Sequence, residues 1–240
     1  MLSLIVKDKP KSISTEAYRT LRTNLEFYTK DRNVKKIVIT STESGEGKSL
    51  TTSNLALSFS QSGKKVLLLD CDIRRPNIHE YFNIFNHMGF ADLIINELDF
   101  KDVIQKYSDT LHIITAGKTL INPAELLNIK NISPIFNNLQ NQYDIILIDS
   151  PPVITFTDAQ LLSAVSDGVI MILSMGETRK KLCLKALQLL NNVNANIIGM
   201  VLNKDNKRVS SYYSKKDYSY HKKSKTNKKK LSNNELHQYR

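Results

Sequence analysis

The stretch Ser44-Gly45-Glu46-Gly47-Lys48-Ser49 constrains this chain more than any other. An apolar run, Ile37-Val38-Ile39-Thr40, precedes it, and a helix-compatible segment from Leu50 to Ser62 follows. Strand, glycine-bearing loop, Lys-Ser and helix is the layout of a Walker A phosphate-binding loop. Its glycines let the backbone approach phosphates and turn N–H groups toward them, and the helix adds the positive end of its dipole. Lys48 is expected on a solvent-facing loop, reaching the β/γ-phosphates, with the Ser49 hydroxyl as a ligand for Mg²⁺. Ser44, Gly45, Glu46, Gly47, Lys48, Ser49 and Leu50 are the expected nucleotide contacts. One departure is plain. The pattern opens with a glycine five residues before the Gly-Lys pair, and Thr42 stands there.

Two further apolar runs end in carboxylates. Val66-Leu67-Leu68-Leu69 leads into Asp70-Cys71-Asp72, and Ile145-Ile146-Leu147-Ile148 leads into Asp149-Ser150-Pro151-Pro152. Parallel strands buried on both faces read as continuous apolar runs, and ligands sit at their C-terminal ends. Asp70, Asp72 and Asp149 are therefore expected at the mouth that holds Lys48. Carboxylates there hold Mg²⁺ or accept a proton from an attacking hydroxyl. A single aspartate of this kind is as readily a helix cap. Three at the ends of apolar strands are not.

Strands are expected near 36–41, 65–70, 111–115, 144–149, 168–174 and 196–202. Helices are expected at Ile13–Tyr28, capped by Ser14, and near 49–62, 90–96, 100–106, 132–141, 157–165 and 177–192. Gly63 suits the end of the first core helix. Residues 1–12 read as an irregular lead-in. The alternation argues an α/β fold with a doubly wound, mostly parallel sheet. At 240 residues the chain suffices for one such domain with a sizeable core. It contains no apolar run of the roughly 18 residues a membrane span needs, and no signal peptide is visible. Cys71 and Cys183 lack metal-ligand spacing and fit a reducing cytoplasm.

The net charge of +11 is unevenly placed. Residues 204–240 hold twelve of the 34 Lys/Arg and three of the 23 Asp/Glu, or +9, against +2 for the other 203 residues. This divides the chain into a folded body, 1–203, and a basic tail, 204–240, expected to be disordered. Tyr212, Tyr213, Tyr218, Tyr220 and Tyr239 give the tail half of the ten tyrosines. Disordered segments are usually poor in aromatics. Three readings are open for these side chains: stacking on single-stranded nucleic acid, service as phosphate acceptors of a kinase that modifies itself, or no role.

Together the motifs resemble the bacterial tyrosine kinases, specifically the cytoplasmic kinase chain of Gram-positive capsule and exopolysaccharide systems. The likeness covers nearly the whole chain. It rests on Ser41–Ser49, on the Asp-x-Asp-x-Arg motif within Leu67–Arg74, and on Ile145–Pro152. It rests also on Glu16, Arg19 and Arg22 as a Glu-x-x-Arg-x-x-Arg motif, on Asn122–Leu127, and on the tyrosine-bearing end. The resemblance implies a P-loop NTPase fold of the MinD/ParA-like type and ATP- and Mg²⁺-dependent phosphorylation of tyrosines. It implies a homo-oligomeric ring, an octamer, held partly by Glu16, Arg19 and Arg22, with one subunit's tail entering its neighbour's site. It also implies a membrane-embedded activator that recruits the chain to the inner face of the cell membrane, and a protein-tyrosine phosphatase. By the same likeness Asn203 is an adenine contact, although a strand-end Asn is otherwise a turn residue.

Phosphoryl transfer depends on positioning and charge neutralisation. Lys48, Mg²⁺ and loop amides supply neutralisation. Tyrosine has a pKa near ~10, so a carboxylate must take its proton. Asp70 is the first candidate for that base, with Asp72 and Asp149 on the metal side, but sequence alone does not separate Asp70 from Asp72. Two rival readings remain. A MinD/ParA-type partition ATPase carries a signature Lys where this chain has Glu43. A nucleic-acid binder acting through the tail needs a basic groove on the body, and the near-neutral body argues against it.

Overall fold

The computed structural model describes residues 2–96, 98–118 and 127–205. Met1–Asn203 form one compact unit; of the second, Lys204–Arg240, only Lys204 and Asp205 are described. In chain order the elements are α1 (Ile5–Asp8), α2 (Ile13–Thr29), β1 (Lys36–Ser41), α3 (Lys48–Gln61), β2 (Val66–Asp70), α4 (Ile78–Phe82), α5 (Phe90–Ile95) and α6 (Phe100–Val103). They continue as β3 (Gln105–Lys106), β4 (Leu111–Ile114), α7 (Ile129–Gln140), β5 (Ile145–Asp149), α8 (Asp158–Ala164), β6 (Gly168–Ser174), α9 (Lys180–Asn191) and β7 (Ile197–Asn203).

The strands form one sheet in the order β3-β4-β2-β5-β1-β6-β7. Every neighbouring pair is parallel except β3 with β4. Strands β1, β2, β5 and β6 are buried at every residue, which is why they read as unbroken apolar runs. Alternate residues feed two cores. Val38, Leu67, Leu69, Ile146 and Ile148 join Phe90, Phe136 and Leu190 on one face. Ile37, Ile39, Leu68, Leu147 and Ile170 join Leu55, Phe59 and Phe82 on the other. This two-period alternation is the pleat expressed as packing.

Helix α3 lies between the sheet and α1 and α2, so almost its whole length is buried. Small Ser and Thr side chains on its surface let neighbours approach from both sides. It ends at Ser62, with Gly63 in the left-handed region at φ 86°.

Four expectations change. The lead-in is not irregular throughout: Leu4 and Val6 are buried, and the Val6 N–H donates to Asn54 Oδ1 of α3 (3.0 Å), so α1 forms by docking. Helix α2 is capped by Ser12, whose hydroxyl accepts from the Thr15 N–H, rather than by Ser14. The helix expected over 100–106 stops at Val103, because Gln105 and Lys106 pair antiparallel with β4. Short α4 had no forecast. Its first N–H, from Ile78, donates to Asp70 Oδ2 (3.2 Å), which ties it to the strand ends.

Candidate active site

Two strands deliver the acidic cluster, beside the strand that feeds the phosphate loop. Asp70 ends β2 and Asp149 ends β5, and the two are register partners. Asp149 is also paired with Ile39 of β1, the strand that runs into the phosphate loop. Lys48 opens α3, directly above them. Its Nζ donates to Asp72 Oδ2 (2.7 Å), to Asp149 Oδ2 (3.4 Å) and to Ser49 Oγ (3.2 Å). The expected solvent-facing position of Lys48 is thus corrected: it is only 8% exposed, with its ammonium folded among carboxylates.

The electrostatics follow from that crowding. Burial opposes the Lys48 charge, but Asp149 and Asp72 outweigh burial and raise its pKa above the ordinary lysine value. Burial, then the nearby Asp149 charge, pushes the Asp70 carboxyl well above the usual carboxylate range. Asp149 is raised too, chiefly by burial, with Lys48 pulling the other way. Asp70 accepts from the backbone N–H groups of Asp72 (3.1 Å) and Ile78 (3.2 Å) and is fully buried. Asp72 accepts from Arg75 N (3.0 Å) as well as from Lys48. Between them Cys71 is fully buried, and burial pushes its thiol far up, so it is a packing residue and no nucleophile.

The loop itself has the expected shape. Gly45 and Gly47 adopt φ 87° and 90°, the left-handed region that favours glycine. Thr42 adopts no such φ, which explains why the missing first glycine is harmless. Gly47 also admits a close neighbour: a Cβ there would lie 2.1 Å from Asn203 Nδ2. Asn203 Nδ2 donates to the Glu46 carbonyl (2.9 Å), so β7 delivers Asn203 to the loop's edge. No side chain caps the first turn of α3, which starts at Gly47 as an anion-binding helix end does. Ser44 and Gly45 are exposed at the loop tip, and Leu50 is half-buried on α3.

The Ser49 hydroxyl and the Asp72 and Asp149 carboxylates are hard oxygen donors already gathered around one cation, the Lys48 ammonium, and so suit Mg²⁺. Among the described residues no three or more His, Cys, Asp or Glu side chains are grouped to hold a metal. A small donor set is what Mg²⁺ takes when phosphates and water complete its shell.

A model of the AAA domain family matches residues 34–208. Over 221 residues the chain is 37% identical to Tyrosine-protein kinase YwqD of Bacillus subtilis, spanning 90% of this chain and 92% of that protein. The chain belongs to the bacterial protein-tyrosine kinase family. The kinase domain of Escherichia coli tyrosine kinase ETK has the same architecture, with a TM-score of 0.83 at 29% identity over 89% of this chain and 84% of that one. The septum site-determining protein MinD of Pyrococcus horikoshii, 21% identical with a TM-score of 0.61 over 70% of each chain, shares the fold.

In this kinase the Glu16–Arg19–Arg22 motif divides. Glu16 and Arg19 form an ion pair on the exposed face of α2. Arg22 turns inward, donating from Nη1 to the Ser58 carbonyl of α3 (3.0 Å). Tyr212, Tyr213, Tyr218, Tyr220 and Tyr239, and Asn122–Leu126, lie outside the described residues.

Sequence reasoning missed three contributors to this kinase's site. Thr52 hydrogen-bonds the Lys48 carbonyl (2.8 Å) and Asp149 Oδ1 (3.4 Å). Its spacing of four residues from Lys48 was the available signal. Asp158 is fully buried and takes Arg74 as a fork, at 2.7 and 3.2 Å, with the guanidinium over the Phe156 ring (4.2 Å to the centroid). That bond anchors the loop after Asp72, and no local pattern announces it. Thr178, between β6 and α9, donates to Glu46 Oε1.

Proposed function

We propose that this kinase uses Mg²⁺ and ATP to phosphorylate tyrosines of its own C-terminal segment, each tail serving the site of an adjacent subunit, and that it thereby regulates capsular or exopolysaccharide synthesis and export. The observation that carries this reading is the Lys48–Asp72–Asp149 cluster beside Ser49 at the C-terminal ends of β2 and β5. When bound, Mg²⁺ neutralises phosphate charge. Lys48 leaves its carboxylates for the β/γ-phosphate oxygens, and the loop N–H groups hold the phosphates in place. The tyrosine oxygen attacks the γ-phosphorus, the bond to the ADP oxygen breaks, and Asp70 takes the phenolic proton. Its raised proton affinity supports Asp70 in that role.

Tyr212, Tyr213, Tyr218 and Tyr220 are the proposed acceptors. Each phosphate adds about −1.5 to −2 charges, so four offset most of the tail's positive charge. The Glu16–Arg19 pair on α2 is the proposed contact between subunits of a ring. A membrane protein of the polysaccharide system is the proposed activator, recruiting the kinase to the cytoplasmic face of the membrane, and a protein-tyrosine phosphatase the proposed antagonist. No helix among the described residues is long and apolar enough to cross a membrane. A partition ATPase needs a lysine where Glu43 stands, and the carboxylate is unsuited to a phosphate contact.

The test is mass spectrometry of the protein incubated with ATP and Mg²⁺, with and without the activator's cytoplasmic segment, beside a truncation ending at Lys207. Phosphotyrosine is expected at the four tail positions and absent from the truncated chain. Equal labelling of the truncation, mapped to the folded body, rejects the tail as substrate.

A further inference from the structure

Glu46 occupies a position that the phosphate-loop pattern leaves unspecified. Here it is 5% exposed. Its Oε2 accepts the backbone N–H groups of Thr42 (2.7 Å) and Glu43 (3.1 Å). Its Oε1 accepts the hydroxyls of Thr42 (2.7 Å) and Thr178. Thr178 in turn accepts from the Ser174 N–H at the end of β6 (2.8 Å). The Glu46 carbonyl meanwhile holds Asn203 at the end of β7. Residue 46 is thus the point at which β1, the phosphate loop, the β6–α9 turn and β7 are joined.

We propose that the Glu46 side chain is a positioning residue for the nucleotide: an internal carboxylate that braces the phosphate loop open and fixes it to the turn carrying Thr178, while the Glu46 backbone carbonyl holds Asn203. The idea rests on the reading of this loop as the nucleotide site. Three features favour a brace over incidental packing. Four donors converge on one carboxylate, using both oxygens. Two are backbone N–H groups at the start of the loop, which otherwise have a choice of conformations. The third is the side chain of Thr42, standing where the phosphate-loop pattern has glycine, so the departure from the pattern and the buried glutamate are one device. A carboxylate accepting several N–H and O–H bonds in a water-poor setting is a strong anchor. Removing it leaves two loop N–H groups to find new partners, and the loop rearranges to do so.

A loop held ready for phosphate strengthens substrate and transition state alike, so its loss raises KM and leaves kcat nearly unchanged. A merely structural loss lowers the active fraction, which reduces kcat at constant KM. The experiment is calorimetric titration of ADP with Mg²⁺, alongside initial rates against ATP, on full-length Glu46→Ala, Glu46→Gln, Thr178→Val, Thr178→Ser, the Glu46→Ala/Thr178→Val double variant and Lys48→Met. Expected are a roughly tenfold or larger loss of ADP affinity in Glu46→Ala, a partial loss in Glu46→Gln, and a loss of about threefold in Thr178→Val that Thr178→Ser restores. The double variant should bind no more weakly than Glu46→Ala alone, because Thr178 acts through Glu46. Unchanged affinity in Glu46→Ala, additive losses in the double variant, or a fall in kcat at constant KM overturns the brace. If Lys48→Met binds ADP as the wild type does, the nucleotide-site reading itself falls. If only Lys48→Met is impaired, that reading stands and the brace alone is lost.

Discussion

The two ends of the sheet solve the problem of buried charge in opposite ways. At the N-terminal end, Asp167 accepts the Lys35 and Lys36 N–H groups through Oδ2 (2.9 and 2.8 Å) and faces the Lys36 ammonium through Oδ1 (3.4 Å). Gln140 takes both lysine side chains, through its backbone carbonyl and its amide oxygen, each at 3.1 Å. Acceptors and donors are matched there. At the C-terminal end three carboxylates share one ammonium. Two of those carboxylates, Asp70 and Asp149, hold protons more tightly than ordinary aspartates. The first arrangement is built for stability. The second is left short of positive charge, an imbalance that a bound divalent cation would relieve and that a structural ion pair does not carry.

Lys48→Met breaks the contrast most severely. Transfer should fall by at least about a hundredfold, since the charge that meets the developing phosphate charge is gone. The nucleotide-free protein should also lose roughly 3 kcal/mol at neutral pH, because the buried carboxylates lose their shared partner. Protonation of those carboxylates relieves the deficit, so the gap between variant and wild type should narrow on acidification. Denaturant melts at several pH values, read beside phosphotyrosine formation, check both parts. An equal stability gap at every pH means that Lys48 is not what balances the cluster.

Asp70→Asn tests the same end with the opposite sign. The folded-state pKa of Asp70 lies above its ordinary value of 3.8. Below that value the group is neutral in both folded and unfolded chains. As pH rises the unfolded chain releases the proton first, so stability falls until the raised folded pKa is passed. The variant does not titrate at this position. Its stability should fall less steeply with rising pH than that of the wild type, with Asp149 accounting for what remains. Transfer should drop by about 10²- to 10⁴-fold if Asp70 is the base, with ADP affinity largely kept. A variant that transfers phosphate at full rate removes Asp70 from that role.

The same contrast shows what the sequence makes legible. The mouth of the site lay open to reading because each of its parts is local. An apolar run followed by Asp marks a strand end, and Gly-Lys-Ser after an apolar run marks a loop and a helix start. Lys48, Ser49, Asp72 and Asp149 therefore appear together as expected. What stayed hidden depends on distant partners. Asp158 takes Arg74 from 84 residues away, and Glu46 takes Thr178 from 132. Helix α1 forms because Asn54 receives it, and β3 ends α6 because β4 offers an edge. Helical spacing located Glu16, Arg19 and Arg22 on one helix but did not reveal that Arg22 faces α3.

Asp167→Ala probes the quiet end and should leave phosphorylation untouched. It removes the acceptor of two strand-initiating N–H groups and one partner of a nearly buried ammonium. Hydrogen bonds to a charged group contribute about 1.5–3 kcal/mol, and the Asp167 side chain is partly exposed, so a loss of roughly 2 kcal/mol is expected. For a chain of this size that is a fall of about 4–8 °C in Tm. Lys36 keeps Gln140 Oε1, which limits the damage. The informative measurement is the pair of numbers together, Tm by calorimetry and the KM and kcat for ATP. A lower Tm with unchanged kinetics separates the structural end of the sheet from the catalytic one. A shift in KM for ATP instead means that strain at the start of β1 reaches the phosphate loop at its end, and the two ends are then coupled through the strand they share.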